Sequence, residues 1–223
     1  MKDRIECLAL HNRIADAQQA AKIIQDGMTV AFGGYTSSGY PKAIASELAA
    51  RKASGEELRI RLLAGSAVGP LEDMLDGIIE RQMPMIESRS MRRRSNQGQT
   101  HYVEQQMYKM LRLLRSGALG TIDVAVVEAL AITPEGYIIP TSSVGILPHL
   151  LEQAKVIIVE INPEQPDGLR GIHDIYIPGQ PPRQEPIPLQ QVNQRIGDPF
   201  LRVDTNKIRY IVESHTADVV SEA

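Results

Sequence analysis

The sequence is poor in the residues that build disulfides, metal sites and membrane segments. Its 223 residues include a single cysteine, Cys7, which excludes an internal disulfide and fits a reducing compartment. No apolar run approaches the roughly 20 residues that span a membrane, and no group of Cys, His and Asp has metal-ligand spacing. The first six residues, Met-Lys-Asp-Arg-Ile-Glu, are too charged for a signal-peptide core. We therefore expect a cytoplasmic protein without a metal.

A surplus of positive charge is also lacking. The formal net charge is −3 at pH 7, so no global field draws the chain to nucleic acid or to an anionic membrane. Hydrophobic residues make up 43% and charged residues 23% of the chain, as in ordinary soluble globular proteins. We expect neither a nucleic acid nor a membrane as a partner.

Helical and strand patterns alternate along most of the chain. Helical periodicity predicts three helices that end near Gly27, Gly55 and Gly117. Apolar runs rich in β-branched residues predict strands at residues 29–32, 60–64, 123–127, 137–139, 156–161 and 208–212. Such continuous runs are typical of strands that are buried on both faces. The alternation predicts an α/β fold in which helices cover a mostly parallel sheet.

The character of the chain changes after residue 162. Five prolines fall between positions 178 and 188, so this stretch is expected to be extended and to make few hydrogen bonds to itself. We predict one α/β domain over residues 1–212, in which residues 162–200 form a proline-rich wrap on the surface. The polar residues 213–223 are expected to begin a linker to a further, absent domain.

The most informative segment follows the first predicted strand and reads Phe-Gly-Gly-Tyr-Thr-Ser-Ser-Gly-Tyr-Pro-Lys over residues 32–42. Gly33, Gly34 and Gly39 allow a tight turn whose backbone can approach a ligand, and Pro41 suits the first position of a helix. Ligands of α/β proteins bind at such strand ends. The spacing fits neither a Walker loop nor the G-x-G-x-x-G fingerprint. An ordinary glycine-rich turn is the alternative.

This segment resembles the signature of the family I coenzyme A transferases. Three further stretches extend the resemblance to the N-terminal domain of the acetyl-CoA hydrolase/transferase family, which includes succinyl-CoA:acetate CoA-transferases. They are residues 122–145, with Ile-Asp-Val-Ala-Val-Val-Glu-Ala and Thr-Ser-Ser-Val-Gly, residues 171–176 and residues 194–197. The resemblance implies a three-layer α/β domain with a mostly parallel sheet, of the CoA-transferase (NagB/RpiA-like) type.

The resemblance also implies an activity, either an acyl-CoA:carboxylate CoA-transferase or an acyl-CoA hydrolase with an acetyl-CoA-like substrate. In that family a glutamate attacks the acyl-CoA and then carries CoA as a thioester, which a small carboxylic acid resolves. This glutamate belongs to a C-terminal domain that no stretch of the chain matches. The chain alone is therefore expected to be inactive and to need that domain or a second subunit. Coenzyme A thioesters enter as substrates, no cofactor is bound permanently, and we expect a homo-oligomer.

Candidate substrate-binding residues lie in the glycine-rich segment and at later strand ends. They are Gly33, Gly34, Tyr35, Gly39, Tyr40, Pro41, Ser66, Thr141, Ser142 and Arg195. The hydroxyls could donate to a substrate carboxylate or could satisfy their own turns. The arginine could hold a carboxylate bidentately or make a structural pair.

No catalytic residue is assigned. Glu128 follows a predicted buried strand, where its position makes it a candidate nucleophile or base. Because the resemblance places the family's glutamate elsewhere, we favour a carboxylate that caps a turn.

Two alternative functions stay open at this point. The same fold serves non-catalytic modules that bind sugar phosphates or other small ligands, and fold alone does not assign function. The α-subunit of a two-chain CoA transferase has a comparable glycine loop, although the landmarks after residue 170 favour the single-chain family.

Overall fold

The structure is a computed structural model that describes residues 1–66, 68–179 and 181–218. Within these residues eight strands form one sheet. The strands are β1 (Thr29–Phe32), β2 (Ile60–Ala64), β3 (Ile79–Met83), β4 (His101–Tyr102), β5 (Ile122–Ile132), β6 (Ile138–Pro140), β7 (Ala154–Ile161) and β8 (Ile208–Glu213). The helices are α1 (Ala17–Ala21), α2 (Ala43–Ala53), α3 (Gly69–Met74), α4 (Arg89–Asn96), α5 (Met107–Arg115) and α6 (Leu147–Gln153).

The sheet is almost entirely parallel. Its order is β4-β3-β2-β1-β5-β7-β8, and each neighbouring pair in this order is parallel. The short strand β6 pairs antiparallel with the last residues of β5. Because parallel strands end at the same edge, the segments that follow β1, β2, β7 and β8 all meet at the carboxyl edge of the sheet.

Helices cover both faces of the sheet. Successive residues of a strand point to opposite faces, and neighbours in β1 accordingly join different cores. Val30 packs in the core with α1 to α4, and Ala31 packs in the core with α5 and α6. One layer of helices packs on each face of the sheet, which confirms the three-layer α/β fold predicted from the sequence.

Several elements differ from the prediction at or near charged residues. Strand β5 continues to Ile132, past the predicted end at residue 127, because Glu128 lies inside the strand with its charge satisfied. Helix α2 begins at Ala43 rather than at Pro41. Strand β3 escaped prediction because Glu80 and Arg81 interrupt its apolar pattern.

Residues 162–207 contain short 3-10 helices and isolated bridges rather than a strand of the sheet. Much of this segment is exposed, and Phe200 anchors part of it by stacking on Tyr137 with ring centroids 5.0 Å apart. Strand β8 ends at Glu213, and the described residues after it turn back onto the carboxyl edge. Residues 219–223 of the expected linker lie outside the described residues. None of the described helices has the length and apolarity of a membrane span.

Candidate functional site

The glycine loop, residues 33–41 after β1, is a tight reverse turn. The amides of Tyr35 and Ser38 each donate to the carbonyl of the other, at 2.9 and 3.1 Å. Gly34 and Gly39 have φ angles of 108° and 62°, in the left-handed region that favours glycine. Tyr35 lies at the first position of the turn, before Thr36 and Ser37 at its tip, and 48% of its surface is exposed. The loop therefore presents one exposed aromatic ring on a rigid backbone.

Two further loops pack against the glycine loop at the carboxyl edge. The amide of Thr36 donates to Oγ of Ser66 at 2.8 Å, and Oγ of Ser143 donates to the carbonyl of Ser38 at 2.9 Å. A Cβ on Gly39 would lie 2.6 Å from Oγ of Ser143 and 3.0 Å from Oγ1 of Thr141. The structure thus brings together the loops that carry nine of the predicted residues.

A buried lysine lies beneath the glycine loop. Lys42 is only 2% exposed. Its Nζ is 2.6 Å from Oε2 of Glu128 and 2.8 Å from Oδ1 of Asp218. The ammonium also donates to the backbone carbonyl of Tyr40 at 2.9 Å and lies 4.5 Å from the centre of the Tyr40 ring. One buried cation therefore joins the glycine loop to two carboxylates from distant parts of the chain.

Both carboxylate oxygens of Glu128 are occupied. Thr141 Oγ1 donates to Oε1 at 2.9 Å, and Gln165 Nε2 approaches the same oxygen at 3.4 Å. Asn162 Nδ2 donates to Oε2 at 3.1 Å, beside the lysine. Glu128 is 1% exposed. It does not cap a turn, as the sequence analysis favoured, but forms the centre of a polar network inside the sheet.

Glu160 lies opposite Glu128 in the register of β5 and β7. It is fully buried, and its carboxylate accepts the amides of Lys42, Ala43 and Ile44 at 2.5, 2.9 and 3.1 Å. These amides open α2 and have no partner within the helix. Glu160 therefore caps the helix, which explains why α2 begins two residues after Pro41.

The four groups Lys42, Glu128, Glu160 and Asp218, called here the buried charge cluster, influence one another's ionisation. Burial raises the pKa of Glu128, although the charge of Lys42 acts to lower it. Burial also raises the pKa of Glu160. Burial disfavours the ammonium of Lys42, but its two carboxylate partners outweigh this effect and raise its pKa. Although burial opposes ionisation of Asp218, Lys42 and the Gly39 amide hold its pKa below the usual range. Asp218 is thus the carboxylate most firmly held as an anion.

The remaining predicted residue, Arg195, lies apart from these contacts. It is exposed on the segment after residue 162 and donates from Nη2 to the carbonyl of Gly171 at 2.7 Å. His173, nearby in sequence, connects that segment to the site through a 2.7 Å contact between Nε2 and the carbonyl of Thr141. Within the described residues, His, Cys, Asp and Glu side chains form no group suited to a metal ion.

Sequence reasoning missed most of the buried charge cluster. Lys42, Glu160 and Asp218 received no role, nor did Asn162 and Gln165. One signal was available, since Glu128 and Glu160 each interrupt a long apolar run that is otherwise typical of a buried strand. A carboxylate in such a run needs a buried partner.

Comparison with known proteins identifies the family. A family model described as the acetyl-CoA hydrolase/transferase N-terminal domain matches residues 2–221. The chain belongs to the acetyl-CoA hydrolase/transferase family. This result confirms the resemblance that the sequence motifs carried.

Curated relatives include both transferases and hydrolases. The succinyl-CoA:acetate CoA-transferase of Clostridium kluyveri is 38% identical, with 96% of this chain and 41% of that protein covered. The propanoyl-CoA:succinate CoA transferase of Escherichia coli is 34% identical, with 91% and 42% covered. The acetyl-CoA hydrolase of Schizosaccharomyces pombe is 32% identical, with 94% and 44% covered. The chain therefore spans 41–44% of the length of these relatives.

Solved structures share the fold. RipA from Yersinia pestis superposes with a TM-score of 0.68 at 17% identity, over 96% of this chain and 45% of that chain. The glutaconate coenzyme A-transferase from Acidaminococcus fermentans gives a TM-score of 0.62 at 15% identity, over 91% and 76%. At these identities the similarity shows the fold alone.

Proposed function

We propose that this chain supplies the N-terminal part of a site that transfers coenzyme A between small carboxylic acids, or that hydrolyses an acetyl-CoA-like thioester. The observation that carries the proposal is the meeting of three loops at the carboxyl edge, beside the exposed ring of Tyr35. Backbone amides and hydroxyls in these loops are the donors that a carboxylate or a developing oxyanion needs. The names of the relatives supply the substrate class.

The glycine loop would position the reacting acyl group. A residue with a side chain at Gly39 would displace Ser143 and Thr141, and the backbone would lose its close approach. Ser142, which is exposed, would present its hydroxyl at the rim. Buried Ser66 would hold the glycine loop in place through the Thr36 amide, and Tyr35 would cover the thioester. These groups hold and orient a substrate but do not form a covalent bond with it.

We propose that the nucleophilic glutamate comes from a further domain or from a second subunit. Glu128 is poorly placed for that role, because its two oxygens already accept hydrogen bonds and its charge is paired with Lys42. A nucleophile must reach the thioester carbonyl with a free lone pair. Glu128 instead stabilises the floor of the site.

Isotope exchange tests the proposal. The purified chain is mixed with acetyl-CoA and labelled acetate, and transfer of label into the thioester is followed by mass spectrometry. We expect no exchange by the chain alone, and exchange once it is joined to the C-terminal remainder of the Clostridium kluyveri relative. No exchange and no thioester hydrolysis by the joined protein would contradict the proposed activity. Sugar phosphates serve as control ligands, since a binding module would be stabilised by them and not by acetyl-CoA.

A further inference from the structure

Asp218 lies beyond the end of β8, and four residues from three parts of the chain hold its carboxylate. The Gly39 amide reaches both oxygens at 3.2 Å. Ser142 Oγ and Gln165 Nε2 each donate to Oδ2 at 3.0 Å. Lys42 Nζ lies 2.8 Å from Oδ1. A backbone amide, a hydroxyl, a side-chain amide and an ammonium thus surround one carboxylate.

Three of these four donors, those of Lys42, Gly39 and Gln165, are held in place by contacts other than Asp218. Lys42 is fixed by Glu128 and by the carbonyl of Tyr40. Gly39 is fixed by the turn of the glycine loop, and Gln165 also contacts Glu128. A set of converging donors on rigid supports is what a binding site for an anion requires.

We infer that Lys42, Gly39, Ser142 and Gln165 form a binding site for the carboxylate of a small organic acid, and that Asp218 fills this site as an internal ligand. The inference rests on the proposed function, which brings such an acid to the same edge of the sheet. A tethered carboxylate competes at a high effective concentration. The free acid therefore binds weakly while Asp218 is in place.

The charges of the site favour exchange of one carboxylate for another. If Asp218 is removed, Lys42 and Glu128 remain as an ion pair, and Glu160 keeps its three amide donors at the start of α2. A free carboxylate that binds in place of Asp218 then restores the one negative charge that was removed and adds no further charge. The Asp218 side chain is 16% exposed, and Ser142 is exposed beside it, so the site opens to solvent on this side.

Substitution of Asp218 distinguishes a binding site from a simple structural contact. In the D218A variant the four donors lose their acceptor, and acetate should bind at least about tenfold more tightly than to the parent chain. Acetate should also raise the Tm of D218A in a saturable way, whereas chloride at equal ionic strength should not. The D218A/S142A double variant, which lacks one exposed donor, should bind acetate more weakly than D218A.

Several results would overturn the inference. Equal effects of acetate and chloride on D218A would show ionic screening alone. Acetate binding that is no tighter in D218A than in the parent would show that Asp218 is only a structural contact. Inorganic phosphate that binds D218A as well as acetate does would contradict the carboxylate assignment. If D218A does not fold alone, recovery of folding by acetate and not by chloride is the expected result, and recovery by neither salt contradicts it.

This experiment measures binding without turnover. Absence of both isotope exchange and thioester hydrolysis in the joined protein would contradict the proposed function alone. Absence of acetate binding to D218A would contradict this inference alone.

Discussion

Lys42 Nζ lies 2.6 Å from Oε2 of Glu128, and the two side chains are 2% and 0% exposed. They come from positions 86 residues apart, one at the start of α2 and the other inside β5. Removing one partner from a buried pair leaves an uncompensated charge in a medium of low dielectric constant, which costs far more than losing a surface pair. The pair therefore connects the stability of the sheet to the position of the glycine loop.

The K42M variant should lose about 3–5 kcal/mol of unfolding free energy, because both Glu128 and Asp218 lose their cation. The E128Q variant should lose less, since Lys42 keeps Asp218 as a partner. Urea unfolding measures both values. The K42M/E128Q double variant should lose less than the sum of the two single losses. Additive losses would contradict the coupling.

Alanine at Gly39 should destabilise the chain more than alanine at Gly77. Both glycines have positive φ, 62° and 80°, so each substitution carries a backbone cost of about 1–2 kcal/mol. Only at Gly39 would the new Cβ meet other atoms, at 2.6 Å from Ser143 Oγ, which adds an overpacking cost of about 1–3 kcal/mol. Denaturant unfolding of G39A and G77A compares the two directly. Equal losses would show that the loop tolerates a side chain.

The cap of α2 should contribute more than an ordinary exposed cap. In the E160A variant three buried amides lose their acceptor, and each unsatisfied buried donor costs about 1–3 kcal/mol. In the control variant D16A, an exposed carboxylate that accepts one amide at the start of α1 is lost, at a cost of about 1 kcal/mol. E160Q keeps an acceptor oxygen and should fall between the parent and E160A. A loss in E160A no larger than in D16A would contradict the assigned role.

Buried His149 should make stability depend on pH. Burial, and then the nearby charge of Arg115, lower the pKa of His149 below its usual value of about 6.5. As the pH falls, the unfolded chain binds this proton before the folded chain does. The contribution of neutral His149 to stability is therefore fully present above a pH of about 6.5. It is lost as the pH falls through the lower pKa of His149 in the folded chain. Thermal unfolding between pH 7.5 and 5 should show a shallower decline for H149Q than for the parent. H101Q, which removes an exposed imidazole, is the control, and equal slopes in H149Q and the parent would exclude His149 as the cause.

The fold was most predictable from the sequence where local pattern decides the structure. Strands β1 and β2 occupy the predicted residues, because short apolar runs buried on both faces have no alternative place in an α/β fold. The Asp16 cap of α1 depends in the same way on near neighbours, since the amide that it accepts belongs to Gln19, three residues later. Strand β3 was missed, since its polar residues resemble a loop.

The candidate site likewise has a local part that could be predicted from the sequence and a long-range part that could not. Its loops are local and carry recognisable motifs, so the sequence predicted that they follow the ends of strands. The buried charge cluster depends on pairs that are at least 86 residues apart in the sequence. A single sequence shows that Glu128 and Glu160 are unusual for their surroundings, but it does not show which cation or amides satisfy them. Only the folded chain reveals that Lys42 and the start of α2 do so.

Mapping the covalent intermediate shows which part of the joined protein supplies the nucleophile. The chain joined to the C-terminal remainder of the Clostridium kluyveri relative is mixed with acetyl-CoA, quenched in acid and digested, and the peptide that carries CoA is identified by mass spectrometry. We predict that CoA is attached to a glutamate of the added remainder and that the peptide containing Glu128 is unmodified. CoA attached to Glu128 would contradict the assignment of this chain as the substrate-positioning part of the site.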